Sequence, residues 1–295
     1  MQNESMHDAA QDSFSEVCRM WLSSVRLRVK KSTYARYRFL VEKYALRYLG
    51  GYTLSDITYP IVENTVCVLL ESGRLDGRGG LSPKTAGDIF SVLRCILRYA
   101  RMRFGAPDFP LDGITIRREH RELPVLDRQE QYLMTKRLLG SESLSDAGVL
   151  LSLYTGIRLG EVCALRWGEI DLTSAELRVV ATMQRIPMPP GNTPRTRVVL
   201  TEPKSAASIR RIPMPEPICR KLFSLRAPED AFFLTGRADC FIEPRTMQNH
   251  FRRCTDACGI RAVNYHALRH TFATRCIESG FDIKCLSEIL GHTNV

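Results

Sequence analysis

The 295-residue sequence predicts a mainly α fold with a small antiparallel sheet, set out as a helical domain over 1–115 and an α+β domain over 116–295. Three observations carry that prediction. The residues before about 115 fall into four apolar stripes of helical period. A polar stretch from Asp108 to Pro124, containing Pro110, Gly113 and the charged run Arg117-Arg118-Glu119-His120-Arg121, reads as a linker. Beyond it, short β-branched runs are framed by further helical patterns.

The first helix is written by Phe14, Val17, Cys18, Trp21, Leu22 and Val25, which follow the i, i+3, i+4, i+7 rule. Ser32 or Thr33 can cap a second helix, whose stripe is Tyr34, Tyr37, Val41, Tyr44 and Tyr48. Pro60 suits the first turn of a third helix ending near Gly73. Ser82-Pro83 opens a fourth, with Ile89, Phe90, Leu93, Leu97 and Ala100 inward. In the second domain, Asp127 followed by Glu130 forms a capping-box pattern. Glu176 to Thr182 reads as a strand. Arg197–Thr201 and Ile209–Pro213, joined by the polar residues 202–208, read as a hairpin with a polar tip. The Pro-rich piece Pro187–Pro194 reads as a loop within the sheet region, and the chain after Pro244 as helical.

Composition narrows the function classes. The chain carries a formal net charge of +10, which makes polyanions its natural partners. No apolar run approaches the ~20 residues that span a bilayer, and the amino terminus lacks a basic and apolar leader, so neither a membrane partner nor secretion is expected. The ten cysteines sit mostly in apolar helical patterns, as Cys95 and Cys163 do, which points to reduced thiols in a cytosol. His250, Cys254 and Cys258 share one helix face at i, i+4, i+8, but no second ligand cluster accompanies them; buried thiols, not a metal site, are expected there.

Two helix edges are basic: Arg94, Arg98 and Arg101 on the fourth helix, and Arg36, Lys43 and Arg47 on the second. Either alone is the pattern of a solvated face; together they point to contacts with DNA phosphates, which position a protein without reading sequence.

The chemistry-bearing residues are spread along the second domain. Thr155-Gly156-Ile157-Arg158-Leu159-Gly160-Glu161 comes first, then Pro203-Lys204-Ser205, then His266-Ala267-Leu268-Arg269-His270, and finally Leu290-Gly291-His292. Phosphoryl transfer needs equatorial charge neutralised, a leaving oxygen protonated and a nucleophile in line. Arginine suits the first task, because its planar fork gives two parallel bonds to a phosphate and stays charged. Arg158 and Arg269 are the candidates, Lys204 can serve as general acid, and histidine can move protons near neutral pH. Arg158 taken alone is equally well read as an ion pair with Glu161 at i, i+3.

In this order and spacing the motifs resemble the tyrosine recombinase (phage integrase) signature, and the helical first domain resembles that family's core-binding domain. The resemblance implies that Arg158 and Arg269 bind the scissile phosphate of double-stranded DNA. Lys204 would protonate the leaving 5′ oxygen, His266 would act as proton acceptor or second donor, and His292 would hydrogen-bond the phosphate. Glu161 would support the first arginine. No metal or other cofactor is implied. Members place a nucleophilic tyrosine roughly nine residues beyond the last histidine, where this sequence has none, and Tyr265 is not expected to replace it. The expectation is therefore a C-terminally incomplete catalytic domain that binds DNA without cutting it. Its full-length parent would recombine DNA through a 3′-phosphotyrosyl intermediate, as a tetramer on DNA, in the cytoplasm at the nucleoid. The alternative is a non-catalytic DNA-binding regulator on the same fold.

Overall fold

The computed structural model describes residues 13–108, 110–117, 123–188, 193–194, 196–201 and 209–291. The chain divides into two compact units, Met1–Arg121 with Pro187–Arg195, and Glu122–Ile186 with Thr196–Val295.

The first unit is helical. α1 spans Phe14–Val25 and is capped by Ser13, whose side chain accepts from the Ser15 N–H. α2, Lys31–Leu40, runs through a π-helical turn at Val41–Ala45 into α3, Leu46–Leu49. The sequence expectation of a Ser32 or Thr33 cap is corrected: Lys30 is the N-cap, without a side-chain bond, and both hydroxyl residues fall inside the first turn. Residues 26–30 link the two helices, and the extended backbone of Lys30 (φ −62°, ψ 151°) marks the start in place of a capping side chain. α4, Tyr59–Ser72, carries Pro60 in its first turn, where a missing N–H is tolerated, and closes at Gly73. α5, Pro83–Phe104, is capped by Ser82 at its start and ends on Gly105 in the left-handed region. The expected stripes face one core: Phe14, Val17, Leu49, Leu69, Leu93 and Ile96 are fully buried, and Trp21 packs on Tyr37 with ring centroids 5.3 Å apart.

The second unit opens with α6, Arg128–Leu139, where Asp127 and Glu130 form the capping box the sequence predicts. α7, Leu144–Thr155, is buried almost throughout and forms the hub, packing against α6, against α9 (Glu216–Phe223), and against α10 (Pro244–Ala257) and α11 (His266–Glu278). A short α8, Leu159–Ala164, follows directly. α12, Ile283–Leu290, packs on α11.

The sheet region departs from the sequence reading. β1 (Ile170–Asp171), β2 (Glu176–Val179) and β5 (Arg210–Pro213) form one antiparallel sheet in the order β1-β2-β5, with Val179 opposite Arg210. β3 (Thr182–Pro187) pairs with β4 (Thr196–Thr201) in a separate two-stranded sheet. The predicted hairpin between 197–201 and 209–213 is therefore corrected, because β4 and β5 take different partners. The predicted single strand from Glu176 also breaks after Val179. The Pro-rich piece expected as a loop begins at Pro187, the last residue of β3, and its residues 189–192 lie outside the described residues. The polar stretch 202–208, which looked like a hairpin tip, joins two sheets and lies outside the described residues.

Candidate phosphate-binding site

Four segments distant in sequence meet at the C-terminal end of α12. Gly156, left-handed at φ 64°, ends α7 and turns the chain so that Arg158 stands at the start of α8. Its backbone N–H donates to Glu161 at 3.0 Å and its guanidinium to the same carboxylate at 2.9 Å, while Nη2 donates to the Gly291 carbonyl at 3.1 Å. Arg269, buried on α11, donates to the Gly156 carbonyl at 2.9 Å and to the Leu290 carbonyl at 2.6 Å. Arg210, the first residue of β5, donates to the Ile289 carbonyl at 2.6 Å and grips both Glu161 oxygens at 3.1 and 2.8 Å.

Three guanidinium groups thus hold three successive carbonyls, those of Ile289, Leu290 and Gly291. Two physical terms favour this. The last carbonyls of a helix lack intrahelical partners, and the helix dipole places negative potential at that end. Gly291 is itself left-handed at φ 64°, and a Cβ there would come 3.1 Å from Arg210 Cδ, so the glycine permits both the turn and the arginine's approach. That is the structural sense of the Leu290-Gly291 pair.

The electrostatics are unbalanced. Among the described residues the three arginines face one buried carboxylate, Glu161. Burial pushes that carboxyl up, but the hydrogen bonds and charge of Arg210 and the Arg158 N–H outweigh it and hold it below the usual carboxylate range. Arg269 is held well below its ordinary value, first by burial and then by the charges of Arg158 and Arg210. An excess of positive charge at a partly open site attracts an anion, and paired arginine forks suit a phosphate. Arg158 is the most open of the three, with its side chain 33% exposed.

The sequence-predicted residues divide as follows. Arg158 and Arg269 come together. His266 stands one turn before Arg269 on α11, exposed, its ring edge-on to His270 with centroids 4.6 Å apart. Burial, then the Arg269 charge, lowers the pKa of His270. Lys204 and His292 lie outside the described residues. Tyr265 is wholly in the core, its hydroxyl 2.8 Å from Ser152 Oγ and its pKa raised by burial.

Arg210 is the residue that sequence reasoning missed. Two adjacent arginines in a strand point to opposite faces, and the sequence does not say which one enters the core. Arg211 is the outward one, paired with Glu176.

The basic edges of the first unit are exposed as expected, but several members are already paired. Arg36 meets Asp88 at 3.1 Å, Arg94 meets Asp112 at 2.9 Å, and Arg101 meets Asp108 at 2.5 Å. Lys43, Arg47 and Arg98 are exposed, with Arg47 lying over the Tyr48 ring at 5.8 Å.

The helix face of His250, Cys254 and Cys258 gains a partner that only the fold supplies. Asp146 at the start of α7 receives His250 Nε2 at 2.6 Å and the Cys254 thiol at 3.4 Å. These three could hold a cation by type and proximity. The His–Asp separation is that of a hydrogen bond, however, whereas two N/O ligands of one tetrahedral zinc stand about 3.3 Å apart. The cluster reads as a lock between α10 and α7.

The sequence model of the phage integrase family matches residues 126–295, and that of the phage integrase N-terminal SAM-like domain matches residues 13–67. The chain belongs to the phage integrase family. Among curated integrase-family relatives, a XerC-like tyrosine recombinase from Caldanaerobacter subterraneus subsp. tengcongensis is 28% identical over 50% of this chain and 42% of its own length. Tyrosine recombinase XerC from Proteus mirabilis is 30% identical over 74% of this chain and 67% of its own. A tyrosine recombinase from Thermosipho africanus is 26% identical over 96% and 92%. The chain thus spans less than half the length of the first of these relatives. Among solved structures, the Tn1549 transposon integrase in complex with circular intermediate DNA shares the fold at TM-score 0.73 and 23% identity, covering 94% of this chain and 92% of that one. A lambda integrase dimer bound to a COC′ core site does so at 0.68 and 17%, covering 96% of each.

Proposed function

We propose that this protein is a site-specific recombinase or integrase that binds double-stranded DNA and cuts and rejoins its strands through a 3′-phosphotyrosyl intermediate. The observation that carries the reading is the convergence of Arg158, Arg210 and Arg269 on the end of α12, beside the carboxylate of Glu161. In this reading Arg158 and Arg269 take the two non-bridging oxygens of the scissile phosphate and offset the charge that builds on them. The nucleophile of the scheme, a tyrosine oxygen assigned to no residue of this sequence, attacks phosphorus, its proton passing to His266, and the bond to the 5′ oxygen breaks as Lys204 supplies a proton. His292, directly after the clamped end of α12, hydrogen-bonds the phosphate.

Tyr265 is not the nucleophile in this scheme, since its hydroxyl is committed inside the core. Arg36, Lys43, Arg47, Arg94, Arg98 and Arg101 contact the DNA backbone, a role supported by their exposure along the α2–α3 run and on α5 of the first unit. Assembly as a tetramer on DNA is proposed by likeness to the lambda integrase tetramer bound to a Holliday junction, which shares the fold at TM-score 0.67. No helix among the described residues is long and apolar enough to cross a membrane, and the proposed place of action is the nucleoid.

The test is a nicked suicide substrate carrying the target site, incubated with the product of the complete reading frame. A denaturant-resistant protein–DNA adduct, mapped to a tyrosine, is expected. Specific binding without any adduct overturns the recombinase reading in favour of a DNA-binding regulator.

A further inference from the structure

Arg210 stands where three parts of the site meet. Strand alternation turns it inward and Arg211 outward, leaving the Arg210 side chain only 6% exposed. A buried charge is tolerated only when it is paired and its donors are satisfied, and here the fork takes both Glu161 oxygens while Nε takes the Ile289 carbonyl. Glu161 in turn holds Arg158 by backbone and by side chain. Arg210 also lies against Gly291, the residue before His292. Its own strand begins two residues after the segment that contains Lys204.

We propose that Arg210 is the positioning residue of the phosphate site: it aligns Glu161, and through it Arg158, and it fastens the end of α12 from which His292 follows. This rests on the recombinase reading given above. The mechanism is a competition for one carboxylate. Each Glu161 oxygen is shared: Oε1 accepts from the Arg158 and Arg210 guanidinium groups, and Oε2 from the Arg158 N–H and Arg210. With Arg210 removed, the whole carboxylate charge falls to Arg158, which is drawn away from the phosphate and partly neutralised. Arg210 therefore keeps Arg158 available without touching the phosphate itself. Lysine does not substitute fully, because it brings the charge without the planar fork.

The experiment compares R210M, R210K, E161Q and the R210M/E161Q double variant of the full-length protein. Site DNA affinity is measured by gel shift, and cleavage by single-turnover reaction of a suicide substrate. R210M is expected to bind DNA within a few-fold of the parent and to cleave on the order of 10²-fold more slowly, the scale of a misplaced catalytic group. R210K falls between the two. R210M/E161Q cleaves faster than R210M, because removing the carboxylate charge frees Arg158. A general packing defect gives the opposite order. Independently of cleavage, amide hydrogen exchange at residues 158–162 and 289–291 rises in R210M. Parent-like cleavage or unchanged exchange in R210M, or a double variant slower than R210M, overturns the positioning role. If the parent itself forms no adduct, the recombinase reading fails, and the exchange measurement alone decides for or against Arg210.

Discussion

At the scale of single residues, Gly291 and Asp146 carry predictions of opposite kinds. Gly291 is required by its positive φ and by the Arg210 side chain lying on it. G291A forces an L-residue into the left-handed region, at about 1–2 kcal/mol, and should lower Tm by roughly 2–8 °C. A thermal melt with no shift contradicts that account of the motif. Asp146 predicts a pH dependence. The His250 hydrogen bond, against the opposing effect of burial, holds its carboxyl at about 2, where the ordinary value is 3.8. The folded pKa is the lower one, so the bond stabilises fully above about pH 4 and is lost as pH falls from there towards 2. Urea melts across that window should show the parent losing stability faster than D146N. Parallel losses would show that the lock contributes nothing.

At the scale of elements, the basic edge of α5 is less free than its sequence suggests. Asp108 and Asp112 occupy Arg101 and Arg94, leaving Arg98 without an ion pair among the described residues. DNA phosphates would have to displace those carboxylates. D108N/D112N should therefore bind site DNA more tightly than the parent at low salt, and R98A should reduce the slope of log affinity against log salt by about one contact. Filter-binding salt titrations check both, and an unchanged slope in R98A removes that side chain from the interface. The same scale shows what was legible in the sequence. The helices were, because stripes such as Phe14-Val17-Trp21 and Ile89-Leu93-Ala100 repeat at the helical period, and because Asp127, Ser82 and Pro60 mark starts by local chemistry. Strand pairing was not. Two β-branched runs around a polar link look like a hairpin, yet β4 pairs back with β3, the strand before it, and β5 with the more distant β2. The motifs pointed to Arg158 and Arg269, which the fold brings together at the end of α12. Arg210 was missed because its meaning depends on Glu161, 49 residues away, and Asp146 because its partner is on another helix.

Across the whole molecule, two units with separate cores carry one net charge of +10, and the second unit concentrates three arginines around the Glu161 carboxylate. In the proposed function that concentration, more than overall basicity, is what separates chemistry on a phosphate from mere adhesion to DNA. The direct measurement is the cleavage rate of a suicide substrate by R158K and R269K variants of the full-length protein, with DNA affinity determined in parallel. The account predicts affinity close to that of the parent and cleavage slower by about 10² or more, since each lysine keeps a charge and loses the fork that meets the phosphate. Cleavage at the parent rate in both variants would contradict it.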